Sequence, residues 1–368
     1  MKIFIIDPWG INGLEEYVGE LFKELKDVNY DTYLITNHYY QPNVKNVFYV
    51  FFKFSEKLTS FFRKPLRLFE YFFNYIKVFL IVSKHKPNVV HIQWGLFFVL
   101  DIFFITILKI KLRKTRFILT AHNIKNHNFN DTWIRFLYFS LFDRIIIHGY
   151  SLEKKMNKLR PSIKTSVIHH GTKKAMIKKF VDSENINLKS DKFNFLFFGH
   201  LKDNKGILDL INIWNEKFIN NEKVSLTIAG RPDDSVKKYI NSLNSKKNIR
   251  FIKKFISNEE KIDLFSNCDC VLLPYKSGSV SGVLFTSASY SKVVITTNFG
   301  SIQDYIIDSQ TSFIARDIYH FSSIMDQVIN IQGKFGCAAL GINNNKHINN
   351  NFCWNSIAQK HLKIYQFE

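Results

Sequence analysis

The sequence predicts an α/β protein with two Rossmann-like domains, each built on a parallel sheet and facing the other across a cleft. Short apolar runs alternate with helical patterns, and this alternation stops at a polar segment, residues 172–192, and then begins again. The 368 residues, 46% of them hydrophobic, suffice for two buried cores. We therefore assign residues 1–175 to an N-terminal domain and residues 176–350 to a C-terminal domain. We assign residues 351–368 to a final helix that packs back toward the N-terminal domain.

In the N-terminal half, apolar runs that end at polar or glycine residues predict six strands. They cover residues 2–6, 32–36, 88–93, 116–121, 143–148 and 166–169. Three helical patterns lie between them: residues 14–25, residues 57–84 on either side of Pro65, and residues 96–111. Parallel strands joined by crossover helices account for this order.

The C-terminal half repeats the pattern with five predicted strands. They cover residues 193–198, 225–229, 248–252, 270–273 and 293–296. The Asn-rich residues 343–351 predict a loop, and residues 353–365 predict the final helix. The four cysteines lack metal-ligand spacing, which favours reduced, buried side chains in a cytosolic protein.

The net charge of +20 is concentrated in a Phe-rich part of the N-terminal half. Residues 51–116 hold 13 basic and 3 acidic side chains, a combination that suits an anionic membrane surface. We find no signal peptide and no uninterrupted apolar run of about 18 residues, so we expect peripheral attachment on the cytoplasmic side. No nucleic-acid-binding motif is present, and we expect no nucleic-acid partner.

Two loops in the C-terminal half predict a site for a phosphorylated ligand. In the first, Gly199 follows a strand and lets the backbone approach a phosphate, Lys205 can reach a diphosphate, and Gly206 opens a helix. In the second, the small residues of 277–282 stand between a strand and a helix whose N-terminus favours an anion. The alternatives are an ordinary turn with a solvated lysine and a flexible serine-glycine turn.

The N-terminal half offers one candidate catalytic residue. His122 stands at a strand end, where ligands gather in such sheets, and can act as a base or hold a sugar. Gly10, Asn12 and Gly13 form a loop after the first strand that can approach a phosphate or an acceptor. No third glycine completes a dinucleotide fingerprint, so a dehydrogenase is disfavoured.

In order along the chain, several segments resemble the motifs of GT-B glycosyltransferases of the glycosyltransferase 4-like group. They are residues 195–206 (FLFFGHLKDNKG), 226–230 (LTIAG), 248–256, 274–288, 293–296 and 298–313. Residues 90–94 (VHIQW) and 119–123 (LTAHN) resemble a subgroup that often builds bacterial surface polysaccharides.

The resemblance implies transfer of a sugar from a UDP- or GDP-linked donor to a lipid-linked or polysaccharide acceptor. The N-terminal domain would bind the acceptor and the C-terminal domain the donor. The implied pathway is O-antigen, capsule or exopolysaccharide synthesis, with no cofactor and no obligatory metal. The donor-binding residues would be Gly199, His200, Lys205, Gly206, Arg231, Ser279, Ser281, Gly282 and Val283.

Two departures from the family pattern bear on this expectation. Ser279 and Ser287 stand where many members carry two glutamates, and His200 stands where an arginine is usual. A nucleotide-sugar epimerase, a phosphorylase or a non-catalytic protein of the same fold are the alternatives.

Overall fold

The computed structural model describes residues 1–9, 13–28, 30–40, 44–55, 63–122, 132–159, 161–172, 192–245, 247–278 and 281–366. The chain forms two compact units. The N-terminal unit consists of residues 1–171 together with residues 354–368, and the C-terminal unit of residues 172–353. The boundaries lie three to four residues from those expected from the sequence.

The N-terminal unit contains a seven-stranded, wholly parallel sheet. Its strands are β1 (Lys2–Asp7), β2 (Asp31–Asn37), β3 (Val47–Phe51), β4 (Val89–Ile92), β5 (Arg116–Thr120), β6 (Arg144–Ile147) and β7 (Thr165–Val167). They lie in the order β3-β2-β1-β4-β5-β6-β7. The six predicted strands are confirmed, and β3 is an edge strand that the sequence analysis missed.

Among the described residues, six helices cover this sheet. Five are α1 (Gly13–Asp27), α2 (Arg63–His85), α3 (Phe98–Lys111), α4 (Thr132–Ser140) and α5 (Tyr150–Leu159), and the sixth is the last helix of the chain, Trp354–Gln366. Pro65 lies in the first turn of α2, where a missing N–H costs nothing, so a single helix continues beyond it. The last helix buries Trp354, Ile357 and Tyr365 against Ile3 and Tyr17, and therefore belongs to the N-terminal core.

The C-terminal unit contains a six-stranded parallel sheet in the order β10-β9-β8-β11-β12-β13. The strands are β8 (Phe193–Phe198), β9 (Val224–Ala229), β10 (Ile249–Ile252), β11 (Cys270–Leu273), β12 (Val293–Thr297) and β13 (Phe313–Ala315). The helices are α6 (Ile207–Ile213), α7 (Lys237–Ser242), α8 (Asn258–Asn267), α9 (Gly282–Ser289), α10 (Ile318–Gln327) and α11 (Gly333–Phe352). The last helix of the chain, Trp354–Gln366, is accordingly α12.

The loop predicted over residues 343–351 is wrong, because these residues lie within α11. Two of the asparagines are buried, and each amide donates a hydrogen bond across to a neighbouring backbone carbonyl. Asn344 donates to the carbonyl of Lys292 at 3.0 Å, and Asn345 to that of Ala288 at 2.8 Å. These tertiary hydrogen bonds stabilise a helix in a segment whose Asn-rich composition is typical of loops.

Because both sheets are parallel, the carboxyl ends of the strands meet at one edge of each sheet. The strand order reverses between β1 and β4 in the first sheet and between β8 and β11 in the second. Ligands of such sheets bind outside the strand ends at these reversals. Among the described helices, none is both long and apolar enough to cross a membrane.

Candidate functional site

The loop after β8 packs tightly against the end of β11. Gly206 has φ of 68°, and a Cβ atom there would lie 1.8 Å from the carbonyl oxygen of Pro274. Only glycine fits this approach, which brings the loop that holds Lys205 against the segment that follows β11. The predicted phosphate loop thus lies at the strand reversal of the second sheet.

Lys205 and Ser281 come together through a third residue, Tyr275. The ammonium group of Lys205 donates to the hydroxyl of Tyr275 at 3.1 Å and lies 4.2 Å from the centre of its ring. Ser281 donates to the same hydroxyl at 3.3 Å. Tyr275 and Ser281 are buried, whereas Lys205 is half-buried. The two predicted loops therefore form one site, and Tyr275 is a member that the sequence analysis did not select.

The N-terminus of α9 forms the other side of this site. The Ser281 hydroxyl accepts from the N–H of Val283 at 3.3 Å and so caps the helix. A Cβ atom on Gly199 would lie 3.7 Å from Val283, while one on Gly282 would meet no atom within 4 Å. The helix start is thus adjacent to the first loop, and the space at Gly282 is open.

Basic side chains surround the two loops. His200 and Arg231 are exposed at the ends of β8 and β9, and Lys202 pairs with Asp233 at 3.5 Å. Partial burial, followed by the charges of Lys202 and Arg231, lowers the pKa of His200. Both signs of charge therefore occur beside the two loops, since Lys276 likewise pairs with Asp203 at 3.0 Å and with Asp209 at 3.2 Å.

The remaining predicted residues are placed as follows. Ser279, Gly10 and Asn12 lie outside the described residues, and Gly13 is the first residue of α1. Ser287 is fully buried, and its hydroxyl donates to the carbonyl of Val283 at 2.7 Å. Because the Ser287 hydroxyl bonds to a carbonyl of its own helix, it does not present a polar group to a ligand.

In the N-terminal unit, a chain of hydrogen bonds determines the tautomer of His122. Nδ1 of His148 lies 2.8 Å from the carbonyl oxygen of Ile168, and a carbonyl only accepts, so this nitrogen carries the proton. Nε2 of His148 then accepts from Nδ1 of His122 at 3.1 Å. In this arrangement Nε2 of His122 carries the lone pair, and Oε1 of Gln93 lies 3.4 Å from it.

His122 belongs to a larger group of histidines at the same sheet edge. Its ring and those of His148 and His170 lie around Tyr17, with ring centres 5.1 to 5.2 Å from the tyrosine. Tyr17 also contacts Nε2 of His361 at 3.3 Å. Burial lowers the pKa of all four rings, to about 3 for His148 and about 4 for His361. These histidines are neutral at pH 7, and among the described residues none of them belongs to a group arranged to hold a metal ion.

The sequence contains a signal for this group beyond the single predicted residue His122. β5, β6 and β7 are neighbours in the sheet, and each is followed within three residues by histidine, namely His122, His148, His169 and His170. Parallel neighbours that all end in the same residue type predict a cluster at one edge.

Two family models match the sequence, one after the other along the chain. Residues 11–174 match Glycosyltransferase Family 4, and residues 178–334 match Glycosyl transferases group 1. No curated protein sequence matches the chain significantly.

Several solved structures share the fold over almost the whole chain. A glycosyltransferase from Rickettsia africae ESF-5 is 18% identical with a TM-score of 0.74, covering 99% of this chain and 97% of that one. Anabaena HepE in complex with UDP is 15% identical with a TM-score of 0.71, covering 99% of both chains. The lipopolysaccharide outer core galactosyltransferase WaaB is 14% identical with a TM-score of 0.71, covering 99% and 98%.

The family matches and the fold confirm the resemblance seen in the motifs. Each family model covers one of the two parallel-sheet units, in the order expected for a two-domain transferase. The chain belongs to the GT-B glycosyltransferases of the glycosyltransferase 4-like group.

Proposed function

We propose that this glycosyltransferase moves a sugar from a UDP- or GDP-linked donor to a lipid-linked or polysaccharide acceptor in bacterial surface-glycan synthesis. The observation that carries the proposal is the meeting of Lys205 and Ser281 at Tyr275, beside the N-terminus of α9. Support comes from HepE, whose structure holds UDP, and from WaaB, which is named a lipopolysaccharide galactosyltransferase.

In this proposal the C-terminal unit stabilises the departing nucleoside diphosphate. As the bond between the sugar carbon and the diphosphate oxygen breaks, negative charge grows on the diphosphate. Lys205 and the N–H groups at the start of α9 oppose that charge without an obligatory metal. The acceptor oxygen forms the new bond to the sugar carbon, and Nε2 of His122 holds the reacting hydroxyl or takes its proton.

Nucleotide binding tests the donor site directly. Calorimetry with UDP and GDP should show binding to the wild type and about tenfold or weaker binding to Lys205→Ala, because one charge-assisted contact is lost. The matched control is Lys223→Ala, an exposed lysine at the opposite, amino end of β9. If Lys205→Ala binds as tightly as Lys223→Ala, Lys205 does not contact the diphosphate.

A panel of UDP- and GDP-linked sugars tests the reaction. Release of nucleotide together with a new glycoside on a polyprenyl-linked sugar acceptor supports the proposal. Conversion of one nucleotide sugar into another without nucleotide release would instead identify an epimerase.

We also propose that the N-terminal unit attaches the enzyme to the inner face of the cell membrane. Exposed lysines on α2, including Lys64, Lys77 and Lys84, lie among exposed apolar side chains. Arg67 is packed over the rings of Trp9 and Phe52, so it is left unchanged in the test. Replacing the three lysines by glutamine should weaken binding to anionic vesicles about 100-fold at low salt, at about 1 kcal/mol per charge. Binding that ignores anionic lipid would contradict the attachment.

A further inference from the structure

We infer that the N-terminal unit holds the hydrocarbon chain of a prenyl phosphate-type acceptor lipid in an apolar groove, with Arg135 facing the phosphate. The inference rests on the proposed function and names the class of acceptor. The groove encloses about 770 Å³ between the first turns of α2, the first turn of α3 and α4. Leu68, Phe69, Phe72, Val99 and Ile134 are among its walls, and Arg135 is the one charged residue among the described residues that line it.

The groove walls are unusually exposed for apolar side chains. Phe69 is 64% exposed and Val99 is 66% exposed. Exposed apolar side chains also occur farther along α2 and α3, outside the groove, such as Leu80 at 61% and Ile110 at 64%. Exposed apolar side chains that gather around a groove mark a binding surface.

The distribution of charge selects an anionic lipid as the occupant. Residues 63–111 contain two carboxylates, and both are buried. Glu70 accepts from the backbone N–H groups of Phe54 and Ser55, each at 3.0 Å, and Asp101 accepts from the hydroxyl of Tyr71 at 2.7 Å. The charges that α2 and α3 present to solvent are therefore all basic. Such a surface attracts anionic lipid, and it repels a second copy of itself.

Arg135 connects the groove to the sheet edge that carries His122. It is 9% exposed, and its guanidinium lies 5.4 Å from the ring centre of Phe98 in the groove wall. It also lines a small cavity with Thr120, the last residue of β5, and with Ala121, which precedes His122. A guanidinium recognises phosphate through paired N–H donors. A lipid whose chain fills the groove and whose phosphate meets Arg135 would extend its head group toward His122.

Titration of the full chain with farnesyl phosphate tests the inference, with farnesol and inorganic phosphate as the chain-only and anion-only probes. Farnesyl phosphate should bind at least about tenfold more tightly than farnesol or inorganic phosphate, because its hydrocarbon chain and its phosphate both contribute to binding. The double variant Phe69→Ser, Val99→Ser should bind it about tenfold more weakly. The matched control is Leu80→Ser, Ile110→Ser, which removes equally exposed apolar side chains outside the groove.

Arg135 is tested separately, because it is buried. Arg135→Gln should bind farnesyl phosphate no better than farnesol, and Arg135→Lys should keep part of the difference. Equal weakening by the two double variants, or no binding of farnesyl phosphate to the wild type, would overturn the inference. Self-association that Phe69→Ser, Val99→Ser abolishes would also overturn it, since the surface would then bind a second copy.

Nucleotide binding separates this inference from the proposed function. All groove variants should bind UDP or GDP like the wild type, because the donor site lies in the other unit. Farnesyl phosphate binding without nucleotide binding would refute the donor assignment alone. Nucleotide binding and sugar transfer that do not depend on a hydrocarbon chain would refute the groove assignment alone.

Discussion

Acid should destabilise the N-terminal unit through its buried histidines. Burial lowers the pKa of His148 from 6.5 to about 3 and that of His361 to about 4. At pH 5 both rings stay neutral in the folded unit, while both are protonated in the unfolded chain. The free energy of unfolding is therefore at its full value above pH 6.5. It falls as the pH drops from 6.5 toward the pKa values of the two rings in the folded unit.

The size of this loss follows from the difference between pH 5 and 6.5, the pKa of a histidine in the unfolded chain. Each histidine costs about 2 kcal/mol at pH 5, so the pair costs about 4 kcal/mol. This is a large part of a total stability of about 5–15 kcal/mol. His91 and His122, whose pKa values are also lowered by burial, act in the same direction.

Urea unfolding at pH 7.5 and pH 5.0, followed by tryptophan fluorescence, measures this cost. Of the five tryptophans, all but Trp214 lie in the N-terminal unit, so the signal reports mainly on it. In His361→Met the difference between the two pH values should shrink by about 2 kcal/mol, because one titrating ring is gone. In Tyr17→Phe, which removes the hydroxyl contact to His361 but keeps the ring, the difference should persist. A wild type equally stable at both pH values would refute the reasoning.

Three further predictions concern the two sites. His122→Ala should reduce transfer by about 10²–10⁴ while nucleotide binding stays normal, and near-normal turnover would return His122 to a structural role. His148→Phe removes the acceptor that orients His122, so kcat should fall and its pH profile should change, with the nucleotide Kd unaffected. Gly206→Ala should destabilise the C-terminal unit by about 1–3 kcal/mol and weaken nucleotide binding. Thermal unfolding measures this loss of stability, and there Gly282→Ala should match the wild type, because its Cβ meets no atom within 4 Å.

The fold was predictable because its signal is local. Each strand of a parallel sheet is buried on both faces and appears as a short apolar run, and each crossover helix shows its own period. The errors occur where tertiary contacts outweigh local composition. Asn344 and Asn345 make α11 possible by bonding to carbonyls of other elements, which no local pattern reveals.

The candidate site was predictable in its loops but not in its contacts. Small residues and Lys205 at strand ends indicated a phosphate site, since the geometry of parallel sheets places such ends together. The role of Tyr275 depends on its position between Lys205 and Ser281, which are 76 positions apart in the sequence. The tautomer of His122 likewise depends on a backbone carbonyl of Ile168, two hydrogen bonds away.

Helix α12 has a consequence for how the protein is made. The C-terminal unit is one uninterrupted stretch, residues 172–353, and can fold as soon as that stretch leaves the ribosome. The N-terminal unit must wait, because its core is completed by Trp354, Ile357 and Tyr365 from the last helix. Until then the pocket around Tyr17 lacks its indole neighbour, and a nascent chain exposes apolar surface that chaperones can recognise. The unit that is synthesised first is the one that finishes folding last.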